Sequence, residues 1–440
     1  MDDSRFSTAC LFPKNSGAAP ARVPSVARRL KVLGRAAAGA LLLAGVAAGC
    51  SSGGGGGGGG SANSPIIICE IAATSGPFSK LGTNDMLGAA AWADSVNKAG
   101  GILGHKVKLV PENNASDPAT AASLVHKCVT QEHANFIFGP ENTATVAAAI
   151  PIANQLQTVL LSWASGWDNQ SVSDADLHSY AFPGIGNVYF ADDDAMISQI
   201  IVPRHYTRVA VIDENTPGGL SNAPYMKSLE SKYGFKVVAT QIINPGSTND
   251  TPQVLNLLKA NPQVIVLGLT PGPDTITFLK AMRAQNATIP IGECSGCATT
   301  QFVNAVGGPQ AMKNIYLIGT PENVLEAFPS SPETADGIAD TKAYIAAMKG
   351  AGKGSATEID EGSEGWATGR ELADAIETAK SIEPNDVKNA LQHQKLTTGG
   401  IIMYSWARTP DNYAGLTRSD SAMVTVGPDS TFDVLPHVEG

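Results

Sequence analysis

Charge, aromatic rings and long apolar runs are all scarce in this chain. Of its 440 residues only 16% are charged and 6% aromatic, while 43% are hydrophobic. That balance excludes a disordered polar chain, and the length suffices for two domains with well-formed cores. The longest apolar stretch, Ala36–Val46, falls short of the about 20 residues that a bilayer-spanning helix needs. Cysteines number six and histidines seven. No second Cys or His pair at ligand spacing accompanies Cys294-Ser-Gly-Cys297, so neither a metal site nor a cofactor is expected. No internal repeat is strong enough to indicate duplication.

The short apolar stretch has the setting of an export signal. Arg22, Arg28, Arg29, Lys31 and Arg35 precede it, and Ala47, Ala48 and Gly49 follow it up to Cys50. Charge, then an apolar core, then small residues is the order of a signal peptide, which assigns residues 1–49 to a removed segment. Gly53–Gly60 is an unbroken run of glycine, so residues 50–64 form a flexible tether unable to pack a core. Seven of the 30 basic and two of the 40 acidic residues leave with the signal. The remaining 391 residues carry 23 Lys and Arg against 38 Asp and Glu, a net charge of −15. So acidic a surface repels phosphate backbones, which excludes nucleic acid as a partner.

Cysteine usage fits an oxidising compartment. With Cys10 lost and Cys50 at the new N-terminus, Cys69, Cys128, Cys294 and Cys297 remain. Four cysteines allow three pairings. The local C-x-x-C favours Cys294–Cys297, with Cys69–Cys128 as the second pair.

From Pro65 onward, short apolar runs alternate with helical patterns. Strands are expected at Pro65–Ala73, His105–Pro111, Asn135–Phe138 and Thr158–Leu161, with helices at Asn84–Lys98, Asp117–Gln131 and Thr143–Gln155. A second series follows Pro183. It has strands at Arg208–Ile212, Phe235–Ile243, Val264–Leu269, Ile289–Gly292 and Ile315–Ile318, and helices at Asn187–Pro203, Gly219–Lys232, Thr251–Ala260 and Asp274–Gln285. Helices at Ala335–Lys349, Glu361–Ala379 and Glu383–His393 close the pattern. Such alternation predicts an α/β fold of two doubly wound parallel-sheet lobes.

Specific motifs sharpen this reading. Thr74-Ser75-Gly76-Pro77-Phe78, Gly82, Asn97-Lys98-Ala99-Gly100-Gly101-Ile102, Gly104 and Asn113-Asn114-Ala115-Ser116-Asp117-Pro118 occur in that order. Phe138-Gly139-Pro140, Pro151 and Leu160-Leu161-Ser162 follow. The series resembles the N-terminal pattern of the Leu/Ile/Val-binding family of type I periplasmic binding proteins. The segment ending at Cys50 likewise resembles a lipobox, although Ala47 stands where Leu or Val is usual; an ordinary secretory signal cleaved nearby is the alternative. The resemblance implies a solute-binding lipoprotein of an ABC importer, tethered through Cys50 to the outer face of the cytoplasmic membrane. It would be monomeric and non-enzymatic, and would deliver its solute to a membrane permease. Three crossovers near Pro183, Gly319 and Gly400 would join the lobes, with residues 65–183 and 320–399 in one and 184–319 and 400–440 in the other.

The resemblance also implies a ligand set. A solute carboxylate would meet Asn142, Thr143, Ser162, Ala164 and Ser165, where hydroxyls and free N–H groups hold an anion. Thr143 doubles as a candidate N-cap. An acid of the second lobe, Glu293 or else Glu214, would meet an ammonium group. Leu81, Pro217 and Thr270 stand where the family's amino-acid binders place tyrosines, and Glu141 is unusual beside Asn142. Phe78, Trp163 and Trp366 complete the candidates, the tryptophans either stacking on solute or filling the core. The expected solute is an amino acid or a similar small polar carboxylate or amide. Two other classes stand beside this: a ligand-sensing receptor of the same fold, and an exported hydrolase using Cys294 in Gly292-Glu293-Cys294-Ser295-Gly296, a G-x-C-x-G elbow with His393 or His437 as base.

Overall fold

The computed structural model describes residues 64–163, 179–183, 188–216, 218–269, 272–319, 325, 335–396, 406–407 and 422–435. The first sheet is built on β1 (Ile66–Ala72). Ile66, Ile68 and Ala72 enter one core while Cys69 and Ile71 enter another. A parallel strand covered on both faces has to read as a near-continuous apolar run, and Pro65–Ala73 does so apart from Glu70. β2 (Val107–Asn113), β3 (Phe136–Phe138), β4 (Val159–Ser162) and β5 (Ala181–Pro183) join it, all parallel, in the order β2-β1-β3-β4-β5. The helices of this half are α1 (Ser79–Ala99), α2 (Pro118–Thr130) and α3 (Thr143–Leu156). Asp117 caps α2, accepting from Thr120 N–H at 2.7 Å, and Pro118 opens the helix.

The second series gives α4 (Val188–Met196), continued by a π-turn at Ile197–Ile201, then β6 (Arg208–Glu214), α5 (Asn222–Tyr233), β7 (Lys236–Ile243), α6 (Thr251–Lys259), β8 (Val264–Gly268), α7 (Pro273–Ala284), β9 (Ile291–Gly292), α8 (Thr300–Val306) and β10 (Ile315–Ile318). The parallel part of this sheet runs β7-β6-β8-β9-β10. Counted from its own first strand, that order repeats the first sheet's, so the two halves share a topology that no sequence repeat announces. α9 (Ala335–Gly350), α10 (Ala356–Ala379) and α11 (Pro384–Gln392) follow, then the short ribbon β11 (Lys395–Leu396) with β12 (Trp406–Ala407). β13 (Met423–Val426) and β14 (Phe432–Val434) return antiparallel to the edge of the second sheet beside β10.

Helices α9 to α11 therefore come from the far end of the sequence yet pack on the first half, with α10 lying along α1. Their contact is backbone on backbone: a Cβ on Gly88 of α1 would stand 1.7 Å from the Gly362 carbonyl oxygen of α10. α10 begins at Ala356, five residues before the periodicity suggests. Ser355 and Glu358 form a capping box there, each side chain bonded to the other's N–H. Two short elements, β5 and α8, lie below the length at which periodicity can be read. Cys69 on β1 stands against Cys128 on α2 with Cα atoms 5.9 Å apart, and Cys294 against Cys297 at 5.5 Å, both within disulfide range. Among the described residues no helix is long and apolar enough to cross a membrane.

Candidate functional site

In doubly wound sheets a ligand sits outside the carboxyl ends of the strands, where neighbouring connections diverge. In the first sheet that point lies between β1 and β3. The chain leaves β3 through Gly139, at φ 80°, passing so close to β1 that a Cβ would lie 2.3 Å from the Ile71 carbonyl oxygen. Glu141 follows, 3% exposed. Its Oε2 accepts from the Ala73 N–H and from Asn114 Nδ2, both at 3.1 Å, and its Oε1 accepts from Asn142 Nδ2 at 3.0 Å. One carboxylate thus ties together the loops after β1, β2 and β3.

The Asn113–Asp117 motif completes that scaffold. Asn113 Oδ1 accepts from the Thr74 and Ala115 N–H groups, each at 2.9 Å. Asn114 Oδ1 accepts from Ser116 N–H at 2.7 Å, and Ser116 Oγ accepts from Phe78 N–H at 3.1 Å. These short polar side chains bond to nearby backbone and so fix the strand-end loops. Asn97 does the same beneath them, pairing with both backbone groups of Val107 at 2.8 Å.

The predicted ligand residues then fall into groups. Asn142, not Thr143, is the N-cap of α3, accepting from Thr145 N–H at 3.1 Å. The Asn side chain is of the right length for this from the position before the helix, which leaves Thr143 half-buried in the first turn. Ser162 ends β4 fully buried, and its hydroxyl has no partner among the described residues. Phe78 and Leu81 are half-buried at the start of α1. Trp163 and Trp366 are interior residues, 1% and 2% exposed. Trp163 packs on Phe138 with ring centroids 6.1 Å apart, and Trp366 on Tyr344 at 5.4 Å. Ala164, Ser165, Pro217 and Thr270, like Cys50, lie outside the described residues.

The second sheet ends in acids. Glu214 closes β6 at 5% exposure, and Glu293 follows β9 at 1%. Glu293 has φ 77°, an uncommon conformation for a residue with a side chain. Neither of its carboxyl oxygens finds a donor among the described residues. Asp193 of α4 and Asp213 of β6 are buried as well, 0% and 2% exposed. Burial, with Asp193 the next cause, holds the Glu293 carboxyl well above the usual carboxylate range. Burial also pushes Asp213 up to about 7. The acids beyond Glu214 and Glu293 escape the sequence reading, although Asp192-Asp193-Asp194 on an otherwise apolar helix is the signal that marks them. The described residues include no cluster of His, Cys, Asp and Glu able to hold a metal. A separate cavity of about 550 Å³ between α10 and α11 is lined by Asp374, Asp386, Asn389 and His393, and no predicted ligand residue lines it.

A sequence profile described as periplasmic binding protein matches residues 65–426. Among curated relatives, the Leu/Ile/Val-binding protein BraC3 of Rhizobium johnstonii is 24% identical over 362 residues, spanning 78% of this chain and 92% of that one. Among solved structures, the branched-chain amino acid transporter substrate binding protein LivJ of Streptococcus pneumoniae, in complex with isoleucine, is similar at a TM-score of 0.64 and 22% identity, covering 84% of this chain and 99% of that one. A solute binding protein of an R. palustris ABC transporter, in complex with 4-hydroxybenzoate, is similar at a TM-score of 0.66 and 18% identity, covering 85% and 96%.

Proposed function

Since this chain belongs to the periplasmic binding protein family, in the Leu/Ile/Val-binding branch that its motifs resemble, we propose that it is the solute-binding lipoprotein of an ABC importer. Its solute on this reading is an amino acid or a similar small polar carboxylate or amide. The observation that carries the reading is a pair of unsatisfied groups at the strand ends. The buried Ser162 hydroxyl is suited to a carboxylate, and the buried Glu293 carboxyl is suited to an ammonium group. A zwitterion would complete both. Residues 65–183 with 320–399 form one lobe on this reading and 184–319 with 400–440 the other, closing on the solute as a hinge. Trp163 and Trp366 act as core and not as stacking surfaces. The hydrolase alternative is disfavoured, because Cys294 is 2% exposed and stands at disulfide distance from Cys297.

A thermal-shift panel of amino acids, amides, small aromatic acids and sugars tests this. A true solute at 100 times its Kd adds about 2.7 kcal/mol of stability. No shift with any member of the panel overturns the proposal.

A further inference from the structure

Glu293 is left-handed at φ 77°, and its carboxyl oxygens have no donor among the described residues. A residue with a side chain persists in that conformation only where its surroundings over-determine it. With no donor on the carboxyl, the backbone sets where the side chain goes.

The segment before Glu293 is held firmly. Gly292 ends β9, paired with Val266 of β8 and Tyr316 of β10. It lies so close to α4 that a Cβ would stand 2.3 Å from Met196 Sδ. Glu293 N–H donates to the Tyr316 carbonyl oxygen at 3.1 Å. The segment after it is held differently. Ser295 and Gly296 are half-buried, and Gly296 is left-handed as well, at φ 79°. Cys297 N–H reaches the Cys294 carbonyl oxygen at 3.4 Å, a long bond that closes the turn weakly. Firm hold resumes at Thr299, whose N–H donates to the Cys297 carbonyl oxygen at 2.8 Å and whose Oγ1 accepts from Phe302 N–H at 3.2 Å, capping α8. Cys294 and Cys297 bracket the weak turn. They are 2% and 0% exposed, in the core of the second sheet, with Cα atoms 5.5 Å apart.

The two cysteine pairs differ in what a bridge can do. Cys69 and Cys128 are 59 residues apart, while Cys294 and Cys297 are three apart. By loop entropy the short bridge constrains the unfolded chain less than the long one. Its effect is concentrated in the turn that it closes.

We propose that Cys294 and Cys297 are bridged as a positioning device, clamping the turn after Glu293 so that its carboxyl is presented to the solute. The inference rests on the solute-binding reading above and extends it to two residues that need not touch the solute. The bridge forms by exchange with an external disulfide: both cysteine S–H bonds break, the S–S bond forms, and the external disulfide leaves as two thiols.

The first test is alkylation of the unreduced, urea-unfolded protein, followed by peptide mapping. Cys294 and Cys297 should remain unmodified, and alkylation of either overturns the proposal. Calorimetric titration with L-isoleucine and L-glutamine then compares wild type with C294A/C297A, and E293Q with the triple variant. The probe that binds should lose at least about tenfold in affinity in C294A/C297A but less than about twofold when the same pair is added to E293Q, since a device acting through Glu293 has then lost its target. No loss, or an equal loss in both backgrounds, overturns the inference and leaves the solute reading standing. Binding of neither probe to the wild type overturns the amino-acid reading and the inference with it. The melting temperature of empty C294A/C297A should fall less than that of C69A/C128A. An equal or larger fall, or failure of C294A/C297A to fold, makes the bridge a staple of the fold and overturns the proposal. Hydrogen exchange needs no solute: the Glu293 and Thr299 N–H groups should exchange faster in C294A/C297A while those of β1 do not change. Unchanged exchange at Glu293 and Thr299 overturns the proposal whatever binds.

Discussion

Glu141 and Glu70 are both buried acids of the first half, and they do opposite things. Glu141 accepts three hydrogen bonds that join three loops. Its replacement by alanine strands two buried donors, on Ala73 and Asn114, so E141A should lower unfolding free energy by about 2–4 kcal/mol in urea titrations. Glu70 lies mid-strand in β1, 3% exposed, with Oε1 unpartnered, and burial raises its pKa to about 8. The folded protein then binds a proton that the unfolded chain releases near pH 4.5. Stability is fully present below that value and falls as pH rises toward 8, by at most about 1.4 kcal/mol per unit from this group. E70Q should flatten that slope in thermal unfolding between pH 5 and 8. At this scale the Asp117 cap is legible in the sequence, because an Asp-Pro pair opening a helical pattern is a local motif. Trp163 and Trp366 were not decidable between core and cleft, since an indole serves either equally well in a sequence.

The contact between α1 and α10 dominates at the scale of elements. Because Gly88 meets the Gly362 carbonyl, G88A forces the two backbones apart. A loss of about 3 kcal/mol or more in urea unfolding is expected, at or above the upper end for overpacking. The same seam buries Asp85, 0% exposed, with both carboxyl oxygens unpartnered. Burial, then the charges of Glu364, Glu141 and Glu361, hold Asp85 well above the usual carboxylate range. The sign matches that of Glu70, so stability from this group is greatest in acid and declines as pH rises. D85N should therefore gain on the wild type at pH 8 relative to pH 5 when melting temperatures are compared. The sequence shows α10 as a helix and shows its glycines, but not the partner helix, because some 270 residues separate Gly88 from Gly362.

At the scale of the molecule, export and anchoring are the features to test. If Cys50 carries lipid, C50S should move the protein from the membrane fraction to the soluble fraction and abolish labelling by a fatty-acid analogue, without changing the melting temperature of the folded body. An equal distribution of both forms would support the plain secretory signal. With lipid on Cys50, the octaglycine run at Gly53–Gly60 would serve as slack between the anchor and the folded body.

The sequence by itself determined the fold class, the order of the longer strands and helices and the family, because periodicity, caps and turn glycines act over a few residues. It also marked Ser162, Glu214 and Glu293 as residues at strand ends. Only the tertiary structure decided that the two sheets share one strand order, that Glu141 is a tie between loops, and that Glu293 is buried. Those facts depend on contacts between segments far apart in the chain. Burial, which turns a carboxylate into a proton-holding acid, exists only once those segments have closed around it.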